Sequence, residues 1–342
     1  MVNLTDQPLC DRWTPWHARL HRHLLQNPDF LPEGSRLLLA LSGGQDSMAL
    51  TGLLIGLRRL HDWELELWHG DHGWHLQSAR VAKELEQWCN EQHLKLRISR
   101  AEPGCTATEA KARQWRYREL NRMASCISET HPNKKCSHVL TGHTASDRAE
   151  TLLLQLARGT DLAGLVSLRP ERPLNSDAAD AISLVRPLLL FTRSETETVC
   201  ETLGLPVWVD PSNQDPRFAR NRVRHRVVPV LEELYPGCEQ RLSSLSNRFS
   251  RLYDTQTVLV ELALENLQDG DGLRKQDLTK LPRDVRRTLL AHWLHSSGVR
   301  GLSAEQLEEL SQAIAPHKPG QGRDLPGGRR IEWVGHSIRL IS

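Results

Sequence analysis

Residues 42–47, Ser-Gly-Gly-Gln-Asp-Ser, constrain this chain more than any other stretch because of what flanks them. Residues 37–41 form a short apolar run of the kind a buried parallel strand shows. From Met48 onward, Leu50, Leu53 and Leu54 begin a helical apolar spacing. A strand, a glycine turn and a helix start together make an anion site. Gly43 and Gly44 let the backbone approach a ligand, free N–H groups around Gln45 point outward, and the helix dipole favours negative charge. Ser42 and Ser47 add hydroxyl donors. Asp46 is the odd member, since a carboxylate beside a polyphosphate requires a cation between them, and Mg²⁺ is the natural one. The bland alternative is an ordinary capped strand-to-helix turn. The loop is neither a Walker A motif, which needs a lysine after its glycines, nor a G-x-G-x-x-G turn.

Strand-like and helix-like runs alternate from about residue 36 to residue 160. The strand candidates are 37–41, 64–68, 94–98 and 138–141, followed by helices over 48–60, 78–93, 108–127 and 146–158. Two later strands, 183–187 and 206–209, flank a helix near 194–203, and 170–181 reads as a loop. The fold class is therefore α/β, a parallel twisted sheet with helices on both faces. A helical connector over 228–267 follows, and then a small α+β unit. That unit has helices near 284–296 and 304–315 and a hairpin, 323–325 with 329–341, about Pro326-Gly327-Gly328. The 342 residues, 39% of them hydrophobic, suggest two domains, divided as 1–245 and 246–342.

A net charge of +2 confines any nucleic-acid surface to local patches. Seven scattered cysteines without a C-x-x-C pair read as reduced thiols of a cytoplasmic protein. No apolar stretch is long enough to span a membrane, so no membrane association is expected.

Four further segments carry chemistry. His69, Asp71, His72 and His75 follow the second strand; a metal site there is disfavoured by the loop's two glycines, and Asp71 either meets a ribose or supports the loop. His143 and Asp147 end the fourth strand and open a helix, where a carboxylate could simply cap, or could share a cation with Asp46. Arg113, Arg116 and Tyr117 share a helical stripe, either a solvated face or a phosphate clamp. Residues 217–226 hold five arginines in ten positions, which suits nucleotide phosphates or an RNA backbone.

The hexapeptide resembles the PP-loop of ATP pyrophosphatases, enzymes of the adenine-nucleotide α-hydrolase-like fold. The whole ordered series resembles the tRNA(Ile)-lysidine synthetase family: LSGGQDS, DHG, EAKARQWRY, GHTASDRAETLLLQLARGTDLAGL, VRPLL and WVDPSNQDPRFARNRVRHRVVPVL. The resemblance implies a ligase that adenylates C2–O of the wobble cytidine of a CAU-anticodon tRNA(Ile) and lets the L-lysine ε-amine displace AMP. The decoding specificity then changes from Met to Ile. It implies Asp46 and Asp147 as Mg²⁺ ligands and ATP contacts from Ser42 to Ser47 and Asp71. Arg113 and His143 stand near the reacting groups, and Arg116, Arg220, Asn221, Arg222 and Arg224 on phosphate or RNA. A C-terminal tRNA-binding domain is implied, and a homodimer is compatible. The chain departs from the family pattern at Ser146, where relatives often carry a second acid, and at Trp74-His75. Rival readings are a PP-loop tRNA thiolase, a synthetase of the NAD or GMP type, and a non-catalytic tRNA-binding protein.

Overall fold

Leu37 and Leu39 pack into one hydrophobic cluster while Leu38 packs into another, so the first strand, β1 (Arg36–Ala40), is buried on both faces. The same division separates Leu140 from Val139 and Val185 from Leu184 on two later strands. The computed structural model describes residues 7–73, 78–102, 104–106, 108–175, 182–209, 215–314 and 321–341. Contacts divide it into Met1–Ser250 and Arg251–Ser342.

In the first unit, α1 (Pro15–Gln26) precedes β1 and α2 (Gln45–Leu57) follows it. Next come β2 (Glu64–Asp71), α3 (Ser78–Glu91), β3 (Lys95–Arg100), α4 (Glu109–Thr130), β4 (Cys136–Leu140), α5 (Ala145–Arg158) and α6 (Leu162–Leu165). The unit continues with β5 (Glu171–Pro173), β6 (Ser183–Val185), α7 (Arg193–Leu203), α8 (Ala219–Arg222) and α9 (Val228–Leu234). The strand order is β3-β2-β1-β4-β6-β5, parallel throughout except that β5 pairs antiparallel with β6. Helices α1, α2, α3 and α7 contribute to the cluster on one face, and α4 to the cluster on the other. Helix α2 is buried nearly all round, not on a single leucine face, because α1, α7 and the turn Leu9–Asp11 cover the side away from the sheet.

The boundary of the two units falls within α10 (Cys238–Leu267). The second unit then has β7 (Gln268–Asp269), β8 (Gly272–Arg274), α11 (Lys275–Lys280), α12 (Arg283–Ser296), α13 (Ala304–Ala313), β9 (Gln321–Leu325), β10 (Arg329–Val334) and β11 (Ser337–Ile341). Its sheet runs β7-β8-β11-β10-β9, all antiparallel, over a core that includes Leu278, Leu290, Ile331 and Trp333.

Three expectations are corrected. Residues 206–209 are not a strand. Pro206 has no N–H to give a ladder, and the segment is pinned by Trp208 N–H donating to Gly43 C=O at 2.9 Å. The run 329–341 splits at Gly335 into β10 and β11, a positive φ of 60° turning the chain. The segment read as a loop over 170–181 contains β5, an edge strand that tolerates Pro173. Among the described residues, no helix is long and apolar enough to cross a membrane.

Candidate active site

The chain runs from β1 outward to β2 and β3, then returns to place β4 directly beside β1. That reversal opens a crevice at the carboxyl ends of the two neighbouring strands, the place where open α/β sheets take ligands. The first turn of α2, after β1, carries Asp46; the loop after β4 carries His143 and the first turn of α5 carries Asp147, so residues a hundred positions apart meet. Gly142 makes the approach close. A Cβ built there would lie 3.0 Å from the backbone C and O of Asp46 and N of Ser47. Gly142→Ala is therefore expected to push the two segments apart and weaken binding of the adenine nucleotide expected there about tenfold, checked by titration with a non-hydrolysable ATP analogue.

The three helices that meet here differ at their N-termini. Helix α5 has a capping box from Thr144 and Asp147, and α7 one from Thr192 and Glu195. Helix α2 begins at Gly44 with no side-chain cap. Its first N–H groups belong to the segment Ser42–Ser47, where Gly43 takes a φ of 84° and the two serine hydroxyls lie 3.0 Å apart. Trp208 covers Gly43 from outside.

Asp147 divides its two oxygens. Oδ2 accepts from Thr144 N at 2.8 Å, which is the capping role, while Oδ1 lies 3.0 Å from Arg193 Nη2 and 3.0 Å from Arg220 Nη2. The same Arg193 Nη2 lies 3.3 Å from Asp46 Oδ2, so one cation stands between the two carboxylates. Asp46 Oδ1 also accepts from Thr196 Oγ1 at 2.5 Å. Burial, with Asp147 as a like charge, raises the Asp46 pKa to about 6 against the pull of Arg193. Asp147 moves the other way: despite burial, Arg220, Arg193 and His143 hold its carboxyl well below the usual range.

Arg220 and Arg224 are half-buried and meet one carboxylate. Arg220 Nε donates to Glu150 Oε2 at 2.8 Å, and Arg224 donates to both Glu150 oxygens at 2.7 and 2.9 Å. A π-type turn over Val223–Val227 continues α8 into α9 and brings the two arginines onto one carboxylate. Asn221 is buried and donates to Asp215 C=O at 2.9 Å, a turn-holding position, whereas Arg222 is exposed.

His143 Nδ1 lies 2.9 Å from Thr141 Oγ1, and burial keeps the ring neutral, with a pKa near 3. Asp71 accepts from Gly73 N and Arg100 Nε, each at 2.9 Å, the loop-supporting one of its two expected roles. Arg113 is exposed and lies over Tyr117, while Arg116 meets His72 Nε2 at 3.1 Å. Trp74, His75, Asp210, Pro211, Ser212, Asn213, Gln214 and Lys318 lie outside the described residues. In the second unit, Arg323 pairs with Glu309, Arg330 with Asp324 and Glu332, and Arg329 donates to Ser297 C=O.

Sequence reasoning missed Arg193, Thr196, Glu150 and Glu239. Glu150 is three positions beyond Asp147 on the same helix, a spacing that could have flagged it. Glu239 accepts from Ser146 Oγ, where an acid was expected, and nothing local pointed to it.

Asp46 and Asp147 could hold Mg²⁺. No group of three acidic, histidine or cysteine ligands occurs among the described residues. A pair of carboxylates completed by substrate phosphates and water is the donor set this ion takes, and the guanidinium of Arg193 already occupies the position of a cation between them.

Residues 16–231 match the PP-loop domain family, and residues 273–336 match the TilS substrate binding domain. The chain is 52% identical over 335 residues to the tRNA(Ile)-lysidine synthase of Parasynechococcus marenigrum (strain WH8102), covering 98% of this chain and 97% of that one. It is 44% identical over 330 residues to the tRNA(Ile)-lysidine synthase of Prochlorococcus marinus (strain SARG), covering 96% and 97%. Among solved structures, the U34-tRNA thiolase NcsA from Methanococcus maripaludis with its 4Fe–4S cluster aligns with a TM-score of 0.55. The match is 19% identical and covers 68% of this chain and 78% of that one, a likeness of fold alone.

Proposed function

Because the chain belongs to the tRNA(Ile)-lysidine synthase family, carbon–nitrogen ligases with a PP-loop ATP-using domain, we propose that it joins L-lysine to C2 of the wobble cytidine of a CAU-anticodon tRNA(Ile). The observation that carries this reading is the meeting of Asp46 and Asp147 on one cation beside the uncapped start of α2.

The cytidine O2 attacks the α-phosphorus of ATP, and the bond to the β-phosphate breaks, releasing pyrophosphate. The lysine ε-amine then attacks C2 and the C2–O bond breaks, expelling AMP and leaving the new C–N bond. A carbonyl oxygen leaves poorly until it bears a phosphate, which is why ATP is consumed. The first N–H groups of α2, with the hydroxyls of Ser42 and Ser47, receive the charge that develops on the departing pyrophosphate. Asp46 and Asp147 are the residues that would hold Mg²⁺, which would supply positive charge to the phosphates. Arg193, which stands between the two carboxylates, would have to give up that position to a metal and could then pair with the nucleotide phosphates. Neutral His143 donates or accepts a hydrogen bond at the reacting nucleotide without adding charge. The second unit, which matches the TilS substrate binding domain, binds the tRNA.

The seven cysteines do not gather into a ligand group, which weighs against the thiolase reading. Reduced thiols and a tRNA substrate suit the cytoplasm. The test is incubation with ATP, labelled lysine and bulk tRNA. Label is expected in tRNA with one pyrophosphate released per lysine joined. Pyrophosphate release that ignores tRNA, or sulfur transfer in place of lysine, would overturn the assignment.

A further inference from the structure

Arginines in this unit fall into two kinds. Arg193, Arg220 and Arg224 each meet carboxylates. Arg113, Arg172 and Arg186 make no ion pair among the described residues, yet they gather round one side chain. The ring of Tyr117, on α4, has Arg113 Cζ at 5.2 Å and Arg172 Cζ, from edge strand β5, at 5.0 Å. Arg186, just beyond β6, is 2% exposed; its Nη1 donates to Arg169 C=O at 2.5 Å and its Nε has no partner. Burying a guanidinium without an anion is costly, and three of them around one phenol repel one another.

The field is strong enough to act on its surroundings. Burial opposes ionisation of Tyr117, but Arg113, Arg186 and Arg172 together hold its pKa below the ordinary phenol value. Arg186 directly follows β6, which runs parallel beside β4, so this part of the cluster leaves the sheet at the same edge as His143. It belongs to the wall built by α4, whereas the uncapped anion site belongs to α2 in the opposite layer. On its far side a cleft of about 780 Å³ opens beside Tyr117, lined in part by Arg118, Asn121 and Asn175. Guanidinium forks match phosphate oxygens, and amides with an aromatic edge suit a nucleotide beside it.

We propose that Arg113 and Arg172 over Tyr117, with the buried charge of Arg186 behind them, form a phosphodiester site that grips the RNA strand next to the base undergoing reaction, with the adjoining cleft taking the neighbouring nucleotide. This rests on the reading of the protein as a tRNA-modifying ligase. Both the RNA backbone and ATP present phosphate oxygens, so the test separates them.

The full chain carrying Arg172→Gln is titrated with tRNA across a range of KCl, and separately with a non-hydrolysable ATP analogue. The expected result is tRNA binding weakened about tenfold, with the slope of log affinity against log salt reduced by roughly 0.7, as for one lost single-strand phosphate contact. ATP-analogue affinity stays unchanged, and Arg172→Lys recovers part of the tRNA binding. Arg113→Gln, at an exposed helical position, repeats the tRNA titration alone should the edge strand fail to fold. Unchanged tRNA affinity and slope in both variants would overturn the proposal, as would a loss confined to the ATP analogue. Lysine incorporation by the unsubstituted protein distinguishes failure of this site from failure of the functional reading.

Discussion

Asp46→Asn and Asp147→Asn are each expected to cut tRNA-dependent pyrophosphate release by about 10²- to 10³-fold while leaving tRNA affinity near that of the parent. The asymmetry of Asp147 makes asparagine the right replacement. Its Oδ2 accepts from Thr144 N, and an amide oxygen can keep that bond. Its Oδ1, which faces Arg193 and Arg220, loses its charge. Asp147→Ala would mix lost catalysis with a lost helix cap, costing roughly 1 kcal/mol of stability besides. Pyrophosphate release measured by a coupled assay at saturating ATP checks the claim. A non-catalytic tRNA-binding protein would instead show no turnover to lose.

Glu150→Ala is the substitution expected to cost most in stability. The carboxylate is 2% exposed and receives Arg220 and Arg224 together. Removing it leaves two guanidiniums in a crevice with only Asp147 to share, at a cost of about 3–5 kcal/mol for an uncompensated buried charge. For a domain of this size that corresponds to a fall in Tm of roughly 10 °C, read by thermal or urea unfolding. Glu150→Gln should lose less, because the amide oxygen still accepts from one arginine. An unfolding midpoint within a degree of the parent would show that Arg220 and Arg224 do not depend on Glu150 for their place.

The crevice was legible in the sequence because both of its walls end strands. Apolar runs at 37–41 and 138–141 followed by Asp46 and Asp147 needed only the parallel α/β pattern to bring them to one edge. The groups that neutralise these carboxylates were not legible in the same way. Arg193 begins α7 behind a capping box that announces a helix start, but no local pattern states which loop that helix faces. The arginine run was visible as charge suited to nucleotide phosphates or an RNA backbone, but charge does not state which carboxylate inside the fold it meets. Its partner Glu150 lay on another helix, so a contact between Arg220 and Glu150 had no trace in either segment. The 206–209 segment failed for a similar reason. Its residues suit a strand, but Trp208 is held over Gly43 by a contact across the fold.

The exchange of Arg193 for a metal between Asp46 and Asp147 is best tested by paramagnetic resonance of Mn²⁺ with a non-hydrolysable ATP analogue. One ion bound per chain is predicted for the parent, depending on the analogue, with binding lost in both Asp46→Asn and Asp147→Asn. Equal Mn²⁺ affinity in the parent and both variants would contradict the account.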